Sequence, residues 1–473
     1  MLHKILLQKS GCILFLLFII SCHYQKPECS FIEDPVSINY QCGKLRVLLD
    51  YSDKNADSIS LAYVVIPARR APIKPDPIVF LQGGPGGSVI PNIKSYENFQ
   101  IDPQRPLILF DPRGTGYSDP VCPSLTSKLF EVFARDIKLG EEFEYIKPFI
   151  SECLDAGFQP KNFTIQQNIQ DLESLRTHLG IQKWNILGGS YGSRWALEYA
   201  EQFPSNISSC LLMGVFPPEI RMYNDLLTNF SNAIQDLFDR CQNDPECQEK
   251  YPDLTEIFSK ATAKLEKNPV QIQVFNKPFV LNAQDFMFFI HQMLYNPGSV
   301  GYIPRFIKAI LEDDPTIISN VVESIKNVID MLHLDVAYSI LAFDEHQYLP
   351  QSQMDLDQLE KPYIKSGIAF FQSDPKVLNM MRTEMMSPGL MEKNDTITIP
   401  LLLVNGQYDP ITPSSNIDKV IGRLPNAQSA VFADQGHAPL SPCFFQIAYD
   451  FLNNPTEHNQ NECNKTPISI KWF

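Results

Sequence analysis

The stretch that decides the fold is "WNILGGSYGSRWALEYAEQFP", which runs from Trp184 to Pro204. Its first residues, Trp184–Leu187, form a short apolar run of the kind that fills a buried strand. Its last part carries apolar residues at helical spacing from Trp195 to Ala200. Three glycines and two serines separate the two runs, so the stretch predicts a strand, a sharp turn and a helix.

Inside the turn, Gly188, Ser190 and Gly192 form the pattern G-x-S-x-G. A side chain at either flanking position would clash in so tight a turn, which is why glycine is needed there. We predict that Ser190 is held in a strained conformation with its hydroxyl exposed as a nucleophile. The backbone N–H of Tyr191, at the start of the helix, would then face a developing oxyanion.

A glycine-rich loop, "LQGGPGG" (Leu81–Gly87), directly follows another apolar run. Such a loop is similar to the oxyanion loop of α/β-hydrolases, because it brings bare backbone N–H groups close to a reacting carbonyl. Gly84 is the predicted second oxyanion donor, with Gly83 as its neighbour. The Gly-Lys-Ser/Thr sequence of a nucleotide-binding P-loop is absent, so the loop does not indicate phosphate binding.

A serine nucleophile needs a base, usually a histidine that a carboxylate holds in one tautomer. Asp409 stands in "LLLVNGQYDPITP" and His437 in "FADQGHAPL", each on a loop after a predicted strand. The chain order Ser190, Asp409, His437 is the order of the α/β-hydrolase triad. Because sites in open α/β sheets gather at the carboxyl ends of strands, we expect the three side chains to converge.

The rest of the chain fits an α/β class, in which short apolar runs alternate with helical patterns. Between about 217 and 387 the pattern becomes mostly helical and strand-like runs nearly vanish. We therefore predict an α/β-hydrolase fold with a mostly parallel central sheet and an inserted α-helical cap. The predicted parts are 22–216 and 388–473 for the core and 217–387 for the cap. The predicted strands are 59–68, 77–82, 106–111, 184–188, 210–214, 400–406 and 429–434.

The first 21 residues indicate an export signal, with Lys4 and Lys9 before the apolar run "CILFLLFII". The following "IISC" resembles a bacterial lipobox, which predicts that Cys22 is lipidated and begins the mature chain. The expected location is the bacterial cell envelope, bound to a membrane through the lipid, or else the periplasm or the medium. The formal net charge of −15 repels phosphate backbones and predicts no nucleic-acid partner.

Eleven cysteines also favour an oxidising compartment. Two of them lie at or before Cys22, and Cys210 sits in a strand-like run, where a buried free thiol is expected. No cysteine or histidine cluster has metal-ligand spacing, and no cofactor is expected. The spacing of the remaining eight suggests the disulfides Cys29–Cys42, Cys122–Cys153, Cys241–Cys247 and Cys443–Cys463.

Taken in order, the motifs "GGPGG", "DPRGTGYS", "GGSYGS", "GQYDPITP" and "GH" resemble the secreted proline iminopeptidase and tripeptidyl aminopeptidase family of α/β-hydrolases. "CQNDPECQEKYPDL" resembles the paired-cysteine segment in the cap of the tripeptidyl branch. The resemblance covers nearly the whole mature chain. It implies a serine exopeptidase that acts on peptides with a free N-terminus and uses Ser190, Asp409 and His437.

The resemblance also has departures and a further implication. Relatives often begin the oxyanion loop with histidine where Gln82 stands here, and the W-x-x-W-E cap signature of the small proline iminopeptidases is absent. An aminopeptidase must pair the cationic amine of its substrate with a carboxylate. The tripeptidyl branch carries an acidic pair after an apolar run similar to "SILAFDEHQ", which implies Asp344 and Glu345 as the amine-binding residues.

Two other functions fit the same residues. A carboxylesterase or lipase would use the same triad on esters, and a hydrolase-like binding protein would keep the fold without turnover. Loss of a triad member would mark the binding protein, and none is lost here. "LFDPRGTGYSDP" (Leu109–Pro120) adds a loop in which Arg113 is expected to tether neighbouring loops.

Overall fold

The fold is taken from a computed structural model of the 473-residue chain. It describes residues 29, 31–32, 40–96, 99–137, 141–220, 222–344, 374–382, 395–458 and 462–473. The predicted export signal, Cys22 and Glu345 lie outside these residues.

The described residues include ten strands, which form two sheets. The strands are β1 (Gln41–Leu48), β2 (Ser58–Ile66), β3 (Ile78–Leu81), β4 (Leu107–Phe110), β5 (Trp184–Gly189), β6 (Ile207–Met213), β7 (Val270–Val274), β8 (Lys277–Leu281), β9 (Leu401–Gly406) and β10 (Ala427–Phe432). The eight-stranded sheet has the order β1-β2-β4-β3-β5-β6-β9-β10. β1 and β2 pair antiparallel, as do β2 and β4, and the other neighbours run parallel.

The central strands are buried because both faces of the sheet are covered. Every residue of β3, β4, β5 and β9 is buried, as expected for parallel strands between two helical layers. Along β9, Leu401 and Leu403 pack into the layer that holds Trp195, whereas Leu402 and Val404 pack into the opposite layer. These strands appear in the sequence as continuous apolar runs because both of their faces are buried.

Helices cover both faces of this sheet. Those outside the inserted segment are α1 (Leu125–Phe133), α2 (Glu142–Asp155), α3 (Ile165–His178), α4 (Tyr191–Gln202), α14 (Ser415–Val420) and α15 (Pro442–Asn453). Short 3-10 turns lie at Ile90–Tyr96, Pro160–Asn162, Pro204–Asn206, Ile421–Arg423 and Cys463–Lys465. The predicted α/β-hydrolase architecture, a mostly parallel sheet with helices, is confirmed.

The described part of the segment between β6 and β9, called the cap below, is mainly helical and supplies most of an apolar cluster built around Phe230, Phe258, Phe286 and Phe306. Its described helices are α5 (Met222–Gln242), α6 (Pro245–Lys250), α7 (Leu254–Lys267), α8 (Ala283–Met293), α9 (Pro297–Val300), α10 (Ile303–Glu312), α11 (Pro315–Ile329), α12 (Leu334–Asp344) and α13 (Asp374–Met381).

Two strand signals escaped the sequence analysis. β1 was not predicted, and the cap contains the hairpin β7–β8, although strand-like runs nearly vanish there. The hairpin turn uses Phe275 and Asn276 with φ angles of 48° and 61°. Phenylalanine is a poor marker of a left-handed turn, so this hairpin lacks the usual glycine signal.

Four disulfides link the described cysteines. They are Cys29–Cys42, Cys122–Cys153, Cys241–Cys247 and Cys443–Cys463, and Cys210 is a buried free thiol in β6. These disulfides are compatible with export. Within the described ranges, no helix has the length and apolar character needed to cross a membrane.

Candidate active site

Ser190 occupies the sharp turn between β5 and α4. Its φ and ψ are 54° and −124°, a region that residues with a side chain rarely adopt. Such a conformation costs about 1–3 kcal/mol and persists only where its surroundings enforce it. The Ser190 N–H donates to the Met213 carbonyl at 2.7 Å, and the Ser190 carbonyl accepts from Ser193 Oγ at 2.6 Å.

The flanking glycines allow this turn because the backbone segments nearly touch. A Cβ at Gly188 would lie 2.6 Å from the Gly192 carbonyl oxygen. A Cβ at Gly192 would lie 2.1 Å from the Leu81 carbonyl oxygen. The G-x-S-x-G spacing is therefore a packing requirement between α4, β5 and the end of β3.

The glycine-rich loop approaches the serine directly. A Cβ at Gly83 would lie 2.7 Å from Ser190 Cβ and 3.3 Å from Ser190 Oγ, so a side chain there would displace the loop. Gly84 follows with a φ of 120°. Among the described residues, the N–H groups of Gly84 and Tyr191 have no hydrogen-bond acceptor. Both predicted oxyanion donors thus belong to backbone adjoining Ser190 and Gly83.

Asp409 follows β9 and is held by its own turn. Its Oδ1 accepts from the N–H groups of Ile411 at 3.0 Å and Thr412 at 2.8 Å. Its Oδ2 accepts from Thr412 Oγ1 at 2.7 Å and lies 2.8 Å from His437 Nδ1. The contacts with Ile411 and Thr412 hold the carboxylate in the orientation in which its Oδ2 atom also bonds to His437. Thr412 was not singled out by the sequence analysis, although it stands three residues after Asp409, as in a common Asx turn.

His437 follows β10 and is oriented by Asp409. An ionised carboxylate only accepts hydrogen bonds, so the Nδ1 atom of His437 carries the proton in this pair. In the neutral imidazole, Nε2 is then the nitrogen without a proton and can act as a base. His437 is 6% exposed and Asp409 is 2% exposed, which shields their interaction from water.

The end of β6 brings the histidine beside the serine. Met213, the last residue of β6, accepts from the Ser190 N–H, and the next residue is Gly214. A Cβ at Gly214 would lie 2.7 Å from His437 Cε1, so the imidazole rests directly on this glycine. The geometry therefore joins Asp409 to His437 by a hydrogen bond and places the ring next to the Ser190 turn. Within the described residues, no hydrogen bond links Ser190 Oγ to His437.

The cap supports the histidine loop, which the sequence analysis did not foresee. The N–H of His437 donates to the Leu294 carbonyl at 3.2 Å, and the N–H of Ala438 donates to the Tyr295 carbonyl at 2.9 Å. The Tyr295 ring lies 4.5 Å from the His437 ring, centroid to centroid. The two residues after α8 thus hold the imidazole from the side of the cap.

The predicted amine-binding residues have different outcomes. Asp344 ends α12, is buried, and accepts a hydrogen bond from the Tyr191 hydroxyl. Burial, and secondly the charge of Asp344, raise the pKa of Tyr191 well above its ordinary value. Asp344 therefore lies against the residue that follows the serine. Glu345 is outside the described residues.

Arg113 has a structural position. It is fully buried, and its guanidinium makes two 2.7 Å hydrogen bonds to the Asp171 carboxylate. It also donates to the carbonyls of Leu48, Leu49 and Asn162. These bonds tie the end of β1 and the loop before α3 to the loop after β4, which agrees with a tethering role.

Comparison with known families identifies the family to which the chain belongs. Residues 76–441 match the model of the alpha/beta hydrolase fold family, and the chain belongs to that family. The matched region includes the Ser190 turn and the loops of Asp409 and His437.

Individual relatives extend this comparison. YuaR of Escherichia coli K12, which is named as a hydrolase, is 26% identical over 424 residues, or 81% of this chain and 79% of YuaR. Serine protease Hip1 of Mycobacterium tuberculosis is 32% identical over 219 residues, or 41% of each chain. A proline iminopeptidase of Arabidopsis thaliana is 32% identical over 146 residues, or 30% of this chain and 28% of that enzyme. The chain thus spans less than half of the two relatives named as peptidases.

Proposed function

We propose that this hydrolase is a serine aminopeptidase that cleaves peptides near a free N-terminus through an acyl-enzyme on Ser190. The observation that carries the proposal is the 2.8 Å Asp409–His437 hydrogen bond, formed beside a serine with positive φ. Relatives named as a serine protease and as a proline iminopeptidase support peptides as the substrate class.

The chemistry follows from the roles of these groups. Nε2 of His437 takes the hydroxyl proton as Ser190 Oγ attacks the scissile carbonyl, and Asp409 stabilises the imidazolium. The N–H groups of Tyr191 and Gly84 stabilise the tetrahedral oxyanion. The imidazolium then protonates the leaving amine. In the second step Nε2 of His437 takes a proton from water as the water attacks the acyl group, and the imidazolium returns the proton to Ser190 Oγ as the acyl group leaves.

Selection for a free N-terminus is assigned to Asp344. Its carboxylate is buried next to Tyr191, and a buried ammonium requires such a partner. The Tyr191 hydroxyl donates to one carboxylate oxygen, which holds the group against the residue that follows Ser190. In this proposal, Glu345 completes the acidic pair.

The test compares a tripeptide p-nitroanilide with a free amine, the same anilide with an acetylated amine, and p-nitrophenyl butyrate. We expect turnover of the free-amine anilide, a loss of at least about 100-fold on acetylation, and a similar loss in Asp344→Asn. Asp335→Asn is unsuitable as a control because Asp335 is itself buried; exposed Asp313→Asn is the matched control. Equal rates for free and acetylated anilides, or turnover of the ester alone, would favour an esterase.

We also propose that the enzyme is exported and held in the bacterial cell envelope by a lipid on Cys22. The export-signal pattern before Cys22 and the four disulfides support this location. In the producing cell, Cys22→Ala should move the protein from the membrane fraction to the soluble exported fraction and remove metabolic labelling by palmitate. Unchanged labelling in Cys22→Ala would contradict the anchor.

A further inference from the structure

A short cap segment, Met331–His333, pairs with the glycine-rich loop. The N–H of Ser88 donates to the Met331 carbonyl at 3.0 Å, and the N–H of His333 donates to the Gly86 carbonyl at 2.9 Å. Between them, Gly87 and Leu332 form an antiparallel bridge. The segment therefore acts as a short added strand along the loop that carries Gly84.

The backbone of the cap packs closely against Gly86 of the glycine-rich loop. This glycine has a φ of 80°, and a Cβ there would lie 2.6 Å from the His333 carbonyl oxygen and 3.0 Å from the Ala337 nitrogen. Gly86 is two residues from Gly84. The cap backbone thus limits how far the loop can move from the start of α12.

The His333 side chain adds a second attachment. Its Nε2 accepts a hydrogen bond from the Gly116 N–H at 2.8 Å. This bond requires an unprotonated Nε2, and burial lowers the pKa of His333, which favours that form. Gly116 belongs to the loop after β4, so one imidazole connects the cap segment to a different core loop.

The loop after β4 is itself bonded to the glycine-rich loop through Asp111. Its Oδ1 accepts from the N–H groups of Val89 at 2.7 Å and Ile90 at 2.9 Å, and its Oδ2 accepts from the Tyr117 N–H at 2.8 Å. A Cβ at Gly116 would lie 2.1 Å from Asp111 Oδ2, so the backbone at Gly116 packs directly against this carboxylate. Asp111 therefore links the loop after β4 to the residues that directly follow the glycine-rich loop, and His333 links the same loop to the cap segment.

We propose that His333 is a positioning residue for the oxyanion loop: its backbone and its Nε2 atom together align the Gly84 N–H with the carbonyl attacked by Ser190. This inference rests on the proposed function. It assigns to the cap a part in transition-state stabilisation that does not involve contact with the substrate.

The variant His333→Leu removes the acceptor and keeps a side chain of comparable bulk. We expect kcat to fall about 10- to 100-fold, a part of the effect of losing an oxyanion donor, with KM within about twofold. The factor should be the same for the free-amine anilide and for p-nitrophenyl butyrate, because both pass through an oxyanion. A role in substrate binding would instead raise KM for the peptide alone.

Rescue by His333→Gln is the decisive arm, since Gln Oε1 is as many bonds from Cβ as Nε2 and can accept from Gly116. We expect kcat of His333→Gln within about fivefold of wild type. The matched control is His178→Leu, at an exposed histidine on α3 whose ring contacts Tyr63. It should keep wild-type kcat.

Thermal unfolding of each variant separates misfolding from misalignment. Should His333→Leu fail to fold, His333→Gln is compared with His333→Asn, whose shorter side chain cannot reach Gly116 and should show the loss in kcat. Wild-type kcat in a folded variant without the acceptor, or equal losses in His333→Gln and that variant, would overturn the positioning role alone. A wild-type enzyme without Ser190-dependent turnover of either substrate would overturn the proposed function and this inference together.

Discussion

The core edge and the cap contribute to the site in different ways. At the core edge, Ser190, Asp409 and His437 follow parallel strands, and the proposed reaction takes one reacting or orienting group from each. The cap reaches the same site mainly with backbone carbonyls and packed rings, at Leu294–Tyr295 and at Met331–His333. In the proposed function each core residue therefore has a separate chemical role, whereas the cap holds the loops of the site in place through several contacts.

The largest expected effect at the core edge comes from a substitution of Asp409. Asp409→Asn should lower kcat/KM about 10⁴-fold, because an amide can donate to His437 Nδ1 and favour the wrong tautomer. Exposed Asp418→Asn on α14 is the matched control and should keep wild-type activity. The measurement is steady-state kinetics with the free-amine anilide. A loss below tenfold would mean that the carboxylate does not orient the base.

A second test at the core edge uses Gly83. In Gly83→Ala the new methyl would sit 2.7 Å from Ser190 Cβ and 2.8 Å from the Gly189 carbonyl oxygen, so the loop must move. We expect kcat to fall about 10²- to 10³-fold, as when an oxyanion donor is lost. Gly422→Ala is the control, because nothing lies within 4 Å of its added Cβ. Activity of Gly83→Ala within threefold of wild type would show that this loop is not part of the reaction.

The stability of the protein in acid depends on His291, a buried histidine of the cap helix α8. Burial, and secondly the charge of His437, lower the pKa of His291 from 6.5 to about 3. His291 packs against Phe230 and Tyr295, and its Nδ1 lies 3.2 Å from the Gln292 amide nitrogen. Between pH 6.5 and 3 the unfolded chain binds one more proton at this residue, so its contribution to stability is lost as pH falls.

From pH 7 to pH 5 this one histidine should lower the free energy of unfolding by about 2 kcal/mol. His291→Phe should reduce the pH dependence by that amount while kcat at pH 7 stays within about threefold of wild type. Urea unfolding at the two pH values provides the measurement. An identical pH dependence in His291→Phe would show that His291 is not buried as a neutral group.

The smallest expected effect concerns the strain at Ser190. Ser190→Gly and Ser190→Ala both remove the nucleophile, but only glycine adopts a φ of 54° with a ψ of −124° without strain. Ser190→Gly should therefore be more stable than Ser190→Ala by about 1 kcal/mol. Urea unfolding of the two inactive variants tests this, and an equal or lower stability of the glycine variant would count against a strained turn.

The sequence allowed prediction of the core edge because its signals are local. G-x-S-x-G and the glycine-rich loop need glycine where backbone segments touch, and the predicted strands beside them are buried on both faces. The hydrogen bond between Asp409 and His437 follows from β9 and β10 being parallel neighbours, and the sequence indicated that both residues lie on loops after strands.

The contacts that the cap makes with the core could not be predicted from the sequence in this way. His333 meets Gly116 across 217 positions of the chain, and Tyr295 and His437 are separated along the chain by the rest of the cap and by β9 and β10. Gly116 and His437 lie in motifs but their partners His333 and Tyr295 do not, and both contacts depend on how the cap packs on the core. The hairpin β7–β8 was missed for a related reason, since Phe275 and Asn276 occupy a turn that usually carries glycine.

The most direct test of the central claim is the intact mass of the protein after treatment with a fluorophosphonate. One phosphonate adduct per chain should form, peptide mapping should place it on Ser190, and Ser190→Ala should stay unmodified. His437→Ala should react far more slowly, because the base is gone. No adduct on the folded wild type, or the same adduct on Ser190→Ala, would contradict a nucleophilic Ser190 activated by His437.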